Sequence, residues 1–320
     1  MDPSVLVAGE TLVDFLPDSP GPLATVESFD RRAGGAPANV AVRLAQLDRP
    51  PWFWTRVGAD PFGEFLAATL ADHGVPNRFV ERDSDAKTTL AFVSQNAEAD
   101  ADYTFYRNGT ADTRLQSGTV PDGTLAAVDL VSVGGVALAS DPARSAVRNL
   151  CERAAARDCT VCFDPNARPE LWRDTDFAAE VDGLLPSCDV VFATPGDLRS
   201  AGFSGDDPET LAERVRERGP HTVFLTLGEA GSVAFAGEDA PWGPATAEHG
   251  GFEVSVVDTT GAGDAFTAGV LASFARGETD LGAVLAFGNA VAAASTTSAG
   301  AMGPLSGVDA LLNGDSEREQ

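Results

Sequence analysis

Short apolar runs alternate with amphipathic segments along most of this chain, and that alternation is what most constrains its fold. "SVLVAG", "PWFWTRVG", "VDLVSVGG", "TVCFDPN", "CDVVFAT", "HTVFLTLG" and "FEVSVVD" read as strands. "GGAPANVAVRLAQL", "DPFGEFLAATLADHG", "DPARSAVRNLCERAAARD" and "PETLAERVRERG" carry apolar residues at helical spacing. Pro37 sits just inside the first of these and Gly74 closes the second, as helix ends favour. "GDAFTAGVLASFARG" and "LGAVLAFGNAVAAASTTSAG" read as two apolar helices. Strands linked through helices predict a mostly parallel sheet covered on both faces, an α/β fold. One domain over 1–320 is expected, without repeats or linkers and with a frayed tail at 313–320.

Two stretches do not fit that layer. "LVDFLP" alternates apolar and polar residues, and "TTLAFVSQ" and "DYTFYR" flank the acidic turn "NAEADA". The latter pair reads as a hairpin with one wet face. Residues 11–33 and 88–113 together predict a small β-sheet lid built from two separated segments.

Charge excludes some partners. The chain has 22 Lys+Arg against 48 Asp+Glu, so its formal net charge is 22 − 48 = −26. Nucleic acid and anionic membranes are disfavoured. Lys87 is the only lysine, and the acids are spread along the chain, a pattern that suits concentrated salt. The chain shows no apolar run long enough to span a bilayer and no basic-then-apolar leader pattern, so a cytoplasmic protein is expected. Cys159 and Cys162 form a C-x-x-C, but Cys151, Cys188 and the three histidines (His73, His221, His249) are not at zinc-ligand spacing. "TVCF" reads as a buried strand in which thiols pack as small apolar groups.

Ligands of open α/β sheets bind beyond the carboxyl ends of the strands. Those ends are Gly9, Gly134, Asp164, Thr194, Gly228 and Asp258. The last leads into "VVDTTGAGDAFTAGV". Gly261 and Gly263 permit close approach of a ligand, and the free N–H groups at a helix start attract an anion. A carboxylate there repels phosphate, so Asp264 makes sense as the acceptor of a proton from an attacking hydroxyl, the logic of phosphoryl transfer to an alcohol. The bland alternative is an N-capping aspartate after a glycine turn. The turn is not a Walker A loop, since no lysine follows the glycines, and it is not G-x-G-x-x-G.

"DTTGAGDAF" resembles the C-terminal signature of the ribokinase-type (PfkB) carbohydrate kinases, and "GGAPANVAVRLAQL" resembles that family's N-terminal glycine-pair motif. The resemblance runs from Val5 to about Leu305. It implies a ribokinase-like three-layer sandwich with a β lid, and ATP-dependent phosphorylation of a sugar hydroxyl, with Mg²⁺ and K⁺ as expected ions. By resemblance Asp264 is the general base, and Gly261, Ala262 and Gly263 form the anion hole. Asp14, Gly34, Gly35 and Asn39 hold the sugar, joined by Tyr106 and Arg107 of "FYRNGTAD". Asn166 and Arg168 of "DPNAR" face the phosphates. Thr226, Gly228 and Gly231 of "TLGEAG", with Thr194 and Asn289, belong to the nucleotide side. Asp258, Thr260, Ser295 and Gly300 match a monovalent-cation loop. One motif departs: where the family commonly has N-x-x-E before a Mg²⁺ site, this chain has Thr194 and Asp197. Aspartate is one methylene shorter, so Asp197 would act through water.

"YTFYRNGTAD", "FDPNARPELW" and "VDTTGAGDAF" are most similar to fructokinases. 2-Keto-3-deoxygluconate kinases share the lid motif, and ketohexokinases use the 1-hydroxyl of the same sugar. A sugar-binding protein without catalysis is the alternative from another class. The apolar stripe of "TTLAFV" suits a partner lid, so a homodimer is expected.

Overall fold

Val5 and Val7 point to one side of the first strand and Leu6 and Ala8 to the other, and all four are buried. Two separate apolar clusters claim them, one on each face of the same sheet. A strand buried on both faces belongs inside a parallel sheet. The structure is a computed structural model that describes residues 3–19, 21–95, 101–172 and 175–316. Its strands are β1 (Val5–Ala8), β2 (Leu12–Pro17), β3 (Phe29–Gly34), β4 (Trp52–Gly58), β5 (Val80–Asp83), β6 (Leu90–Gln95), β7 (Ala101–Tyr106), β8 (Leu130–Gly134), β9 (Thr160–Asp164), β10 (Val190–Ala193), β11 (Thr222–Thr226), β12 (Ser232–Ala236) and β13 (Ala245–His249).

Nine of these form one sheet in the order β13-β12-β11-β10-β9-β8-β1-β4-β5. The pairings from β11 across to β5 are parallel, and β12 and β13 extend the edge antiparallel. Helices Ala143–Ala155 and Pro208–Arg216 pack on one face, and Ala36–Gln46, Ala262–Phe274 and Leu281–Thr296 on the other. This is the expected three-layer α/β arrangement with a mostly parallel centre.

The remaining strands make a second sheet, β3-β2-β6-β7, in which only β2 and β6 run parallel. Its strands come from the two stretches that did not fit the main layer. One face carries Phe15, Phe29, Phe92 and Tyr106 in mutual ring contact, with Phe15 reaching Phe62 of the helix Pro61–Asp72. The other face carries Asp14, Tyr103 and Phe105.

Several expectations need correction. "FEVSVVD" is not a strand: the amides of Val257 and Asp258 both bond the Thr296 carbonyl at the end of a helix, and Val256 and Val257 are about 60% exposed. The edge strands β12 and β13 were not expected. The tail is helical from Val308 to Ser316, and 317–320 lie outside the described residues. Most of the "NAEADA" turn, 96–100, also lies outside them. All four cysteines are free and buried, and burial pushes the Cys151 thiol up to about 12. No helix among the described residues is long and apolar enough to cross a membrane.

Candidate active site

Gly261 begins the helix Ala262–Phe274 in a left-handed conformation, φ 76°. A Cβ there would lie 2.6 Å from the Ala301 Cβ, so both backbone angle and packing demand glycine. A Cβ on Gly263 would meet nothing within 4 Å and would project into open space. The first-turn amides of this helix have no carbonyl one turn back to bond, which leaves them for an anion. Asp264 follows at once. Burial raises its carboxyl above the usual carboxylate range, opposed by the Asn39 amide and the charges of Arg168 and Arg43. The Asn39 Nδ2 donates to Asp264 Oδ2 at 2.7 Å.

Two cavities meet at Asp264. The first, about 260 Å³, is walled by Glu10, Leu12, Asp14, Gly35, Asn39, Tyr103 and Phe105 among others. The second, about 350 Å³, lies at the carboxyl ends of β9, β10 and β11 and is walled by Asp164, Thr194, Asp197, Thr226, Ala262 and Gly263 among others. Asn166, Arg168, Thr259, Gly261 and Asp264 line both. The shared wall thus holds one carboxylate, one arginine and a helix N-terminus between two chambers.

In the first chamber, the Asp14 carboxylate lies against the Gly34 Cα, where any side chain would overlap it. Gly35 takes φ 100°, and a Cβ there would meet the Glu10 carbonyl oxygen at 2.7 Å. The glycine pair is therefore explained by close backbone packing around Asp14 and Glu10. Burial raises Asp14 to about 7, with Arg168 opposing and Asp264 adding to the rise. Asn39 Oδ1 is buried without a partner, an acceptor left for a ligand hydroxyl.

Tyr106 and Arg107 are not on this wall. Tyr106 is 62% exposed on the opposite face of β7, because side chains alternate along a strand. Tyr103 and Phe105, an odd number of residues from Tyr106, take the cavity side. Arg107 is buried, and its Nε donates to Asp112 Oδ2 at 2.6 Å. It lines a different cavity, with Asn108, Thr113 and Arg144.

In the second chamber, Asp197 is fully engaged by the chain. Its Oδ2 accepts from the Thr194 amide and hydroxyl, and its Oδ1 from the Ala167 amide, while Thr194 Oγ1 accepts from the Asp197 amide. The T-x-x-D variant is a capping box on the helix Pro195–Ser200. Asp164 stands beside it, and burial, with the charges of Asp197 and Asp264, raises its carboxyl well above the usual range. Among the described residues no group of three or more His, Cys, Asp or Glu is placed to hold a metal directly. Hard oxygen donors beneath a phosphate chamber fit a hydrated dication reaching Asp164 and Asp197 through water.

Asp258 draws its loop together, with Oδ1 accepting from the Thr260 amide and Oδ2 from the Gly300 amide. Arg32 of β3 joins it at 3.3 Å. Ser295 is buried in the last turn of its helix, its hydroxyl bonded to the Ala292 carbonyl. Gly228 and Gly231 make the turn between β11 and β12, with φ 64° and 84°, away from both chambers. Asn289 is buried, donating to Ser232 Oγ at 2.7 Å and to the Leu285 carbonyl, and lines neither chamber.

Sequence reasoning missed Glu10, Asp164, Tyr103 and Phe105 as site residues. Asp164 was marked as a strand end, Glu10 follows another such end, and the alternation of "DYTFYR" could have identified the inward pair.

A model of pfkB family carbohydrate kinases matches residues 2–306. The chain is 34% identical over 308 residues to the fructokinase of Klebsiella pneumoniae, covering 94% of this chain and 96% of that one. The fructokinase of Xylella fastidiosa with bound ATP superposes with a TM-score of 0.85 at 28% identity, covering 98% of each chain. A double mutant of the Vibrio cholerae O395 fructokinase, solved with fructose, ADP and a potassium ion, superposes with a TM-score of 0.83 at 28% identity, covering 98% of this chain and 99% of that one.

Proposed function

The chain belongs to the pfkB family of carbohydrate kinases and is an ATP-dependent carbohydrate kinase, and on that premise we propose that it phosphorylates fructose at a hydroxyl presented to Asp264. One observation carries the reading: Asp264 lies where the two chambers join. The smaller chamber takes the sugar and the larger takes the phosphates of ATP. Asp264 accepts the proton of the attacking hydroxyl. The N-terminal amides at Gly261–Gly263 hold the transferring phosphoryl charge, and Arg168 steers it from the shared wall.

The acceptor chamber favours a neutral sugar over a keto-acid. Glu10, Asp14 and Asp264 all line it, and Arg107 is held elsewhere by Asp112. ADP release from ATP–Mg²⁺ in concentrated KCl, with fructose and 2-keto-3-deoxygluconate compared at equal concentration, tests this. Turnover confined to fructose is expected, and turnover confined to the keto-acid overturns the substrate assignment.

Asp164 and Asp197 would hold a hydrated Mg²⁺ brought by ATP, and the ion would offset charge on the phosphates. The Asp258 loop offers K⁺ its carboxylate, Thr260, and backbone of Ser295 and Gly300. Exchange of K⁺ for a large organic cation lowers turnover if the ion sits there, and unchanged turnover removes the ion from this loop. The smaller sheet acts as the lid of the sugar chamber. Its aromatic outer face, with Tyr106 62% exposed, supports a homodimer in which two lids cover one another. Tyr106→Glu then yields a monomer by sedimentation, and a wild type that is already monomeric removes that reading. The acid excess supports a cytoplasm rich in salt as the setting.

A further inference from the structure

Glu10 is the one acid of the sugar chamber that no motif accounts for. It follows Gly9, which takes φ 150° with its Cα packed so closely on Pro37 that a Cβ would lie 2.5 Å from Cγ. That turn brings the chain out of β1 and folds the Glu10 side chain under the chamber, where it is 3% exposed. Its Oε2 is buried without a hydrogen-bond partner, near the bare Cα of Gly134. The side chain lines the cavity that also holds Asp14, Asn39 and Asp264. Among the described residues no ion pair joins it to Arg107, although Arg107 is the cation that acts most strongly on it.

A buried carboxyl oxygen with nothing to bond is costly unless a ligand completes it. A core position would hold a leucine here at no such cost. The same chamber also leaves Asn39 Oδ1 without a partner. Two unsatisfied acceptors on one wall match a molecule rich in hydroxyl donors.

We propose that Glu10 is a substrate-contacting specificity residue, whose free carboxyl oxygen bonds a sugar hydroxyl other than the one that gives its proton to Asp264, and which favours neutral sugars over sugar acids. The inference rests on the fructose reading and sharpens it. Its selectivity follows from crowding of like groups: a ligand carboxylate would share the chamber with Glu10, Asp14 and Asp264, and Arg168 is the only arginine on that wall among the described residues. Burial holds the Glu10 carboxyl at about 7, so both of its forms are present near neutrality, and each can bond a hydroxyl.

The test compares wild type, Glu10→Met and Glu10→Gln by steady-state kinetics with fructose and with 2-keto-3-deoxygluconate at saturating ATP–Mg²⁺. Methionine keeps the length and removes the hydrogen bond. Its KM for fructose is expected to rise about 10- to 100-fold, with kcat within about threefold. Glutamine keeps a hydrogen-bonding group and removes the charge. It is expected to restore KM to within about threefold of wild type and to narrow the preference for fructose over the keto-acid. A purely structural Glu10 would lower the folded fraction, and so the apparent kcat, and would leave KM unmoved. Wild-type KM in Glu10→Met, with fructose turned over normally, overturns the inference and leaves the fructose reading standing. A wild type that uses another neutral sugar overturns the fructose reading, and Glu10 is then judged on the KM for that sugar. A wild type that prefers the keto-acid, or turns over no sugar, overturns both.

Discussion

The Asn39 amide donates to the Asp264 carboxylate at 2.7 Å, tying the helix behind the glycine pair to the catalytic turn across most of the chain. Asn39 was expected to hold sugar hydroxyls; its Nδ2 donates to Asp264, and its Oδ1 is buried without a partner. The bond favours the ionised form of Asp264 against the burial that disfavours it. Asp264→Asn should therefore lower kcat by roughly 10²–10⁴-fold, measured as ADP release with sugar present. A variant with wild-type turnover would remove Asp264 from the base role.

The same bond fixes the sign of a pH effect. The proposed base role requires ionised Asp264, so kcat/KM should rise with pH through the carboxyl's raised pKa. Asn39→Ala removes a group that lowers that pKa, so the acid limb of the kcat/KM profile should move to higher pH. A profile that keeps its acid limb while losing amplitude would assign that limb to another group.

Gly261 and Gly263 separate folding from function. Gly261→Ala forces a side chain into φ 76° and against Ala301, which should cost about 1–3 kcal/mol and show as a lower melting temperature. Gly263→Ala meets nothing in the protein, so melting should be unchanged or slightly higher. Its methyl projects into the phosphate chamber, and turnover should drop about tenfold or more. Equal melting losses in the two variants would contradict the packing difference.

Asp14 binds its proton more tightly in the folded chain, at about 7 against 3.8. The folded state thus carries a proton that the unfolded chain has released between those values. Stability from this group falls as pH rises through that window and is level above it. Asp14→Asn should melt roughly 2–4 °C higher than wild type at pH 8, show no gain near pH 4, and bind sugar poorly. A gain at both pH values would mean that ionisation is not the cause.

Self-repulsion among the surface acids should weaken as salt screens it. The melting temperature should climb between about 0.1 and 2 M KCl. A flat response would mean that the formal charge of −26 is already locally compensated.

The main layer was legible because strands buried on both faces leave uninterrupted apolar runs, as in "SVLVAG" and "VDLVSVGG". "FEVSVVD" misled because Val256 and Val257 lie on a surface strand-like segment whose amides cap a helix, and exposure cannot be read from residue type. Asp264 and its glycines were legible through motif spacing. Tyr106 and Arg107 were not: which way β7 faces depends on its register with β6, where Leu90 pairs Tyr106, and Arg107 is captured by Asp112 only after the chain turns. Thr194 and Asp197 matched a metal motif in spacing, yet the same spacing is that of a capping box, and the geometry shows that box.

β1 lies inside the main sheet, with Val5 beside Leu130 on one side and Leu6 beside Trp52 on the other. β1 therefore has no complete seat until β8 has followed it along the chain, and Asp264 comes later still. A chain made only as far as β8 holds parts of the smaller chamber and lacks the residues proposed as base and anion hole. Under the proposed role of Asp264, phosphoryl transfer becomes possible only after residues far apart in the chain have met, because the smaller chamber draws on Glu10 and Asp14 as well as Asp264.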